Sequence, residues 1–228
     1  MSSDTVPHAP IAPALIAIIA DRDPETAAWL EEEVAAPPLP GTPAFTRLFA
    51  VVGRRLRGAA PPGAAGLERL RALGIAAPED WTAAQTARAA LLAASVGTAR
   101  AEAPARLAAA FRTSDNAERA AILQSLMLLP EPARFTDLAA EACRSSVQPV
   151  FEAVACGNGF PAAHFAEPTF NQMVLKAVFT GAPLARVVGL AERTTPALLR
   201  MAGDFRSERL AAGRPVPADL IRLLEPGS

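Results

Sequence analysis

Residues 147–181 carry only three charged side chains, two glutamates and a lysine, among mostly apolar neighbours. The first helix of this stretch should begin near Pro149, because proline breaks a helix when it lies inside one. The second should run from Pro168, tolerated in a first turn, to Gly181, which suits the position just past a helix end. Between these two residues the apolar side chains follow the i, i+3, i+4, i+7 spacing of one helical face. We therefore predict two buried helices around which the rest of the chain is organised.

Helix start signals also occur in the rest of the sequence. Thr195 before Pro196 is a capping residue followed by a first-turn proline, and Asp115 with Glu118 three residues later forms a capping-box pattern. Alanine, leucine and arginine, which favour helices, are frequent, and no convincing run alternates with the period of a strand. The sequence therefore predicts an all-α protein.

We expect the 228 residues to form a single all-helical domain. Helix pairs that follow one another every few dozen residues are typical of stacked repeats of the HEAT kind. Because no motif recurs at a fixed period, an irregular multi-helix array is an equal alternative. Within the domain we expect three parts. Residues 1–112 form variable helices that follow a loose tail in residues 1–10. Residues 113–215 form a core, and residues 216–228 form a last helix and tail.

The charge balance argues against two classes of partner. With 22 basic and 23 acidic residues, the chain lacks the basic excess that favours binding to nucleic acid or to an anionic membrane surface. The first apolar run, residues 11–20, is too short to cross a bilayer, and no basic residue precedes it as in a secretion signal. We predict a cytoplasmic protein without a transmembrane segment.

Sequence signatures of cofactor and metal sites do not occur. The chain has neither a GxGxxG nor a GxxxxGK phosphate-binding pattern, and it has no CxxC, HxxxH or HExxH pair for zinc. Cys143 and Cys156, each preceded by small residues, are more typical of a packed core than of a ligand or nucleophile. We therefore predict no cofactor and no metal.

A few polar side chains fall on otherwise apolar helix faces and form the candidate site. Asn171 projects into an apolar neighbourhood, where an amide without partners destabilises a fold by about 1–3 kcal/mol. A buried Glu152 or Lys176 needs a partner even more, so we expect an ion pair of Glu152 with Lys176 or with Arg144. The full candidate set is Glu141, Arg144, Gln148, Glu152, His164, Asn171, Gln172 and Lys176.

Two interpretations of this set stay open. In the first, the polar groups satisfy one another inside a packed bundle. In the second, they line a pocket in which Arg144 and Lys176 meet an anionic or polyol group and the amides orient it. A cavity that reaches these side chains would favour the second interpretation.

Several segments between Asp115 and Arg214 resemble the EboA family, and this resemblance sets the expected bounds of the core, residues 113–215. They read DNAERAAILQSLMLLPEP, EACRSSVQPVFEAVACGN, PAAHF, FNQMVLKAVFTGAPLARVVGL and ERLAAGRPV. The resemblance implies a gene cluster of secondary metabolism that also encodes a UbiA-type prenyltransferase, a sugar-phosphate cyclase, a barrel-type metal hydrolase and a phosphatase-like protein. It implies an accessory protein that binds a small polar or prenylated metabolite, or another protein of the ebo cluster, during biosynthesis or export to the periplasm.

An enzyme is the alternative of a different class. It would act on a prenylated or cyclitol-type intermediate, with Glu152 or His164 as the base and Lys176 stabilising negative charge. The resemblance supplies a context for either hypothesis and no reaction.

Overall fold

The computed structural model describes residues 11–225, so the tail expected in residues 1–10 and the end of the tail expected in residues 216–228 lie outside it. Fourteen α-helices and several short 3-10 turns, without any strand, make up the described residues, which confirms the all-α prediction. No helix in this range is both long and apolar enough to cross a bilayer. The contacts group the chain into two compact units, one up to Phe135 and one from Thr136 onward. The single domain and its HEAT-like stacking stay predictions.

The first unit contains seven α-helices. They are α1 Ile11–Ala20, α2 Pro24–Ala35, α3 Pro43–Arg55, α4 Ala64–Ala72, α5 Ala83–Thr98, α6 Ala103–Thr113 and α7 Asn116–Ser125. The start signal predicted in this unit is confirmed, because Asp115 caps α7 and both hydrogen bonds of its capping box with Glu118 form. Helix α5 packs against α1, α2, α3 and α7. Alanines on α5 are fully buried and let the neighbouring backbones approach closely, so this helix is the centre of the unit.

A buried ion pair joins two helices of the first unit. The guanidinium of Arg88 on α5 lies 3.8 Å from the carboxylate of Glu118 on α7, and their side chains are only 11% and 7% exposed. Arg88 also donates from Nε to the carbonyl oxygen of Phe49 at 3.3 Å. A β-carbon at Gly53 would overlap the Arg88 guanidinium, so the absence of a side chain at this position provides the space that the arginine occupies.

The second unit contains the other seven α-helices. They are α8 Thr136–Ala142, α9 Gln148–Ala155, α10 Phe160–His164, α11 Glu167–Thr180, α12 Leu190–Arg193, α13 Pro196–Ala211 and α14 Ala218–Leu224. Helices α9 and α11 pack on each other through fully buried side chains such as Phe151 and Phe170. Pro168 lies in the first turn of α11, and Gly181 follows its end in the left-handed conformation at φ 78°. The predicted pair of buried helices is therefore present, with the short α10 between its members.

Candidate functional site

Lys176 on α11 is bound to backbone oxygens at the end of α8. Its ammonium donates to the carbonyl of Cys143 at 2.6 Å and to the carbonyl of Ser145 at 2.7 Å. It also lies 4.8 Å from the centroid of the Phe151 ring, within the range of a cation–π contact. The last carbonyls of a helix have no intrahelical partner and form its negative end. Lys176 therefore caps α8 and ties it to α11.

The predicted ion pair of Glu152 was wrong. Glu152 accepts a hydrogen bond from the amide of Gln148, one turn earlier on α9, at 2.8 Å. Within residues 11–225 it forms no ion pair with Lys176 or with Arg144. The carbonyls at the end of α8 explain why Lys176 does not pair with Glu152. They provide two acceptors for the ammonium, and the Glu152 carboxylate does not have to be desolvated.

Two further candidate residues hold polar atoms in enclosed surroundings. Asn171 is 2% exposed, as the apolar neighbourhood predicted, and its Oδ1 finds no hydrogen-bond partner among the described residues. The Nε2 atom of His164 is likewise enclosed without a partner, and the imidazole lies 4.7 Å from the ring of Phe160. An unpaired buried polar atom destabilises a fold by about 1–3 kcal/mol. Both atoms are thus buried polar groups whose hydrogen-bonding capacity no described residue satisfies.

The remaining candidates, Glu141, Arg144 and Gln172, are exposed. Of the whole set, Lys176 alone lines one of the two cavities described below. Ligand binding by all eight residues stays a prediction.

Sequence reasoning gave no role to Arg193, although it fixes the segment that carries His164. Its guanidinium donates to the carbonyl of Ala162 at 2.6 Å and to that of Phe165 at 2.7 Å. It also stacks 4.6 Å from the centroid of Phe170. A planar fork of donors suits two neighbouring carbonyls. No spacing in the sequence indicates these partners, because they are backbone atoms.

The cysteine beside Lys176 is not a nucleophile at neutral pH. Burial raises the pKa of the Cys143 thiol to about 12, although the positive charges of Lys176 and Arg144 act in the opposite direction. Since the thiolate is the reactive form of cysteine, this side chain stays a protonated, packed group.

A cavity of about 640 Å³, the α12–α14 pocket, opens beside helices α12 and α14. Its apolar lining consists of Leu184, Ala185, Val187, Gly189, Leu190, Ala191 and Leu223. Its polar lining consists of Glu192, Thr194, Asp219 and Arg222. None of these residues was in the candidate set.

The carboxylate of Asp219 joins two parts of the wall of the α12–α14 pocket through one hydrogen bond. Asp219 on α14 accepts the backbone N–H of Leu184 at 2.9 Å through Oδ2. Its Oδ1 accepts from Arg222 at 2.7 Å. Gly189, which also lines the pocket, has φ 71°, and a β-carbon there would lie 2.7 Å from that of Ala162. Position 189 therefore requires glycine for two reasons, its backbone conformation and its close packing.

A second cavity, the Phe179 groove, has a volume of about 500 Å³ and lies between α11 and α13. It is lined by Leu175, Lys176, Phe179, Met201, Asp204, Phe205 and Glu208. The side chain of Phe179 is 70% exposed, and its ring centroid lies 6.5 Å from that of Phe205.

Comparison with known proteins gives one match. The family model described as metabolite traffic protein EboA matches residues 22–225, which is nearly the whole chain. The chain belongs to the EboA family. The match extends the resemblance seen in the sequence, which was carried by segments from Asp115 onward, to most of the first unit. No curated protein and no solved structure matches the chain.

Proposed function

We propose that this EboA-family chain is a cytoplasmic accessory protein that binds a small amphipathic metabolite in the α12–α14 pocket. The observation that carries the proposal is the pocket itself. Its volume of about 640 Å³ lies within the range of small-molecule sites, which are mostly apolar with a few polar groups. The family description, metabolite traffic, supports a role in moving a metabolite or handing it on.

The lining indicates what kind of molecule fits. The leucine and valine side chains of the lining would bury an apolar body, as in a prenylated metabolite. Among the polar lining residues, Arg222 is paired with Asp219 through a single nitrogen and is 73% exposed, so its remaining N–H groups are available to a polar head. Glu192, also in the lining, would accept hydrogen bonds from hydroxyl groups. The ligand class is therefore an apolar body with an oxygen-rich head.

The catalytic alternative fits the geometry less well. It needs the Lys176 ammonium to face a developing negative charge, but two backbone carbonyls already occupy this group. It also needs Glu152 or His164 as a base, and Glu152 is hydrogen-bonded to Gln148 while the Nε2 atom of His164 is enclosed. These contacts favour binding over catalysis.

The test combines a native search for the ligand with a defined probe. Native mass spectrometry of protein purified from its own host should show a bound small molecule. In vitro, the fluorescence of anilinonaphthalene sulfonate, which has an apolar body and an anionic head, should rise on binding. Ala191→Trp places a large side chain in the pocket and should abolish the rise. Ala211→Trp, at an exposed alanine of α13 outside the pocket, should leave it unchanged.

Two results would contradict the proposal. One is equal probe binding by the wild type and by both tryptophan variants. The other is retention of a co-purified molecule by Ala191→Trp in the same amount as by the wild type. Circular dichroism of both variants controls for folding.

A further inference from the structure

We infer that the Phe179 groove binds a basic amphipathic helix of a partner protein. This inference is independent of the α12–α14 pocket, since it rests on a different surface of the second unit. It concerns three features of the groove: its shape, its apolar floor and its acidic rim.

The shape of the groove follows from helical spacing. On α13 the lining residues recur at positions 201, 204, 205 and 208, which is one face over two turns, or about 10 Å. On α11 they lie at 175, 176 and 179. Helices α11 and α13, which pack on each other, thus form the two walls of the groove. A third helix that lays its apolar face into such a groove is one of the recurring modes of peptide recognition.

The floor of the groove is apolar and accessible. Leu175, Phe179, Met201 and Phe205 contribute it, and Phe179 is the most exposed large apolar side chain in the described part of the chain. Covering an aromatic ring that is 70% exposed removes apolar surface from water and so stabilises a complex with a partner. Aromatic side chains at the centre of an interface are also common binding hot spots.

The rim of the groove selects the charge of the partner. Asp204 and Glu208, one turn apart on α13, are exposed, and neither forms an ion pair within residues 11–225. Arg200 lies one turn before Asp204 on the same helix, but it forms no ion pair with Asp204 or Glu208 in the described part of the chain. Two uncompensated carboxylates beside an apolar floor complement a helix with lysine or arginine on the flanks of an apolar stripe.

Three basic groups near the groove, those of Lys176, Arg206 and Arg209, are already bound elsewhere. Lys176 lines the groove with its side chain, but its ammonium is held by the carbonyls of Cys143 and Ser145. Arg209 lies against Phe205, with 5.7 Å between its guanidinium carbon and the ring centroid, and it donates to the carbonyl of Pro215 at 2.7 Å. Arg206 pairs with Glu225 at 3.7 Å. The carboxylates of Asp204 and Glu208 therefore remain for an external cation.

The experiment uses two synthetic helical peptides with the same apolar stripe, one flanked by lysine and one by glutamate. Fluorescence anisotropy with the full-length protein should show binding of the lysine peptide and no binding of the glutamate peptide. Phe179→Ala should weaken the lysine peptide by more than about tenfold, since a central aromatic anchor is removed. The double variant Asp204→Asn with Glu208→Gln should weaken it by about tenfold, as expected for two exposed charge pairs.

Matched controls separate the groove from general effects. Leu210→Ala removes an exposed apolar side chain of α13 outside the groove, and it should leave the affinity unchanged. The double variant Glu31→Gln with Glu32→Gln removes the same amount of negative charge from exposed positions on α2, and it too should have no effect.

Other outcomes would overturn the inference. Equal binding of both peptides, absence of lysine-peptide binding, or equal loss in the control variants would show that the groove does not select a basic helix. Dimerisation in sedimentation equilibrium that is lost in Phe179→Ala would assign the groove to a second copy of the chain. Sedimentation with anionic lipid vesicles that depends on Phe179 would assign it to a membrane surface.

Discussion

The ammonium nitrogen of Lys176 lies 2.6 Å from the carbonyl oxygen of Cys143, 33 residues earlier in the chain. The same nitrogen reaches the carbonyl of Ser145, so one side chain occupies two acceptors at the end of α8. Hydrogen bonds to a charged group are stronger than those between neutral groups. This contact accordingly organises the end of α8, the start of α9 and the middle of α11.

Replacing Lys176 with methionine should destabilise the second unit. The methionine keeps much of the apolar stem but leaves both carbonyls without their donor, so we expect a loss of about 2 kcal/mol in the free energy of unfolding. Gln172→Met, one turn earlier on the same helix and exposed, is the control and should change it by less than about 0.5 kcal/mol. Urea unfolding followed by circular dichroism measures both. Equal stability of the two variants would show that the Lys176 hydrogen bonds contribute nothing.

The buried thiol of Cys143 should make stability depend on pH at the alkaline end. Its pKa is about 12 in the folded chain against an ordinary value of 9.0, so the folded state keeps the proton while the unfolded state loses it. The stability that this thiol contributes is fully present below pH 9 and is lost as the pH rises towards 12, by about 1.4 kcal/mol per pH unit. Urea unfolding of the wild type and of Cys143→Ala between pH 8 and 10.5 should therefore show a gap that shrinks above pH 9. A constant gap would contradict the raised pKa.

Gly53→Ala should destabilise the first unit through Arg88. The new β-carbon would overlap the guanidinium, which is held by Phe49 and Glu118, so we expect a loss of about 1–3 kcal/mol. Gly97→Ala on α5 is the control, because its β-carbon would meet no atom within 4 Å, and alanine should stabilise that helix by up to about 1 kcal/mol.

A double-mutant cycle checks the cause of the Gly53 effect. In an Arg88→Met background the same Gly53→Ala change should be much milder, because the clashing group is gone. Additive free energies of unfolding in the two backgrounds would exclude the arginine as the origin of the loss.

Asn171→Leu should be neutral or stabilising by about 1 kcal/mol. The amide oxygen of Asn171 is buried without a partner, and a leucine of similar size removes that penalty. Thermal unfolding of the purified variant is the measurement, with Asn171→Asp as the comparison that adds a buried charge and should lower the melting temperature strongly. A large loss of stability in Asn171→Leu would show that the amide has partners that the structure does not display.

Helix bounds were predictable where the signal is local. Pro168 and Gly181 mark α11, and Asp115 with Glu118 marks α7, because a first-turn proline, a left-handed glycine and a capping box each act within one turn. The central place of α5 was not predictable in the same way. A helix made largely of alanine shows little difference between its faces, so the sequence does not say how many neighbours it has.

Only part of the candidate site could be predicted from the sequence. Burial of Asn171 follows from its position on an apolar helix face. The partners of Lys176 and Arg193 are backbone carbonyls, which every residue possesses, so no residue type in the sequence identifies them. The α12–α14 pocket arises from a segment with a left-handed glycine and two short helices, whose path depends on tertiary contacts.

The chain has a single lysine, and the structure places that one primary amine of a side chain against two oxygens of the main chain. Acylation of Lys176 by an amine-directed reagent needs the deprotonated amine and leaves a single N–H, so the two hydrogen bonds cannot both persist through the reaction. The rate of acylation at this position therefore reports how often the junction of α8 and α11 opens. Local motion at this junction can thus be followed in the natural sequence, without any substitution.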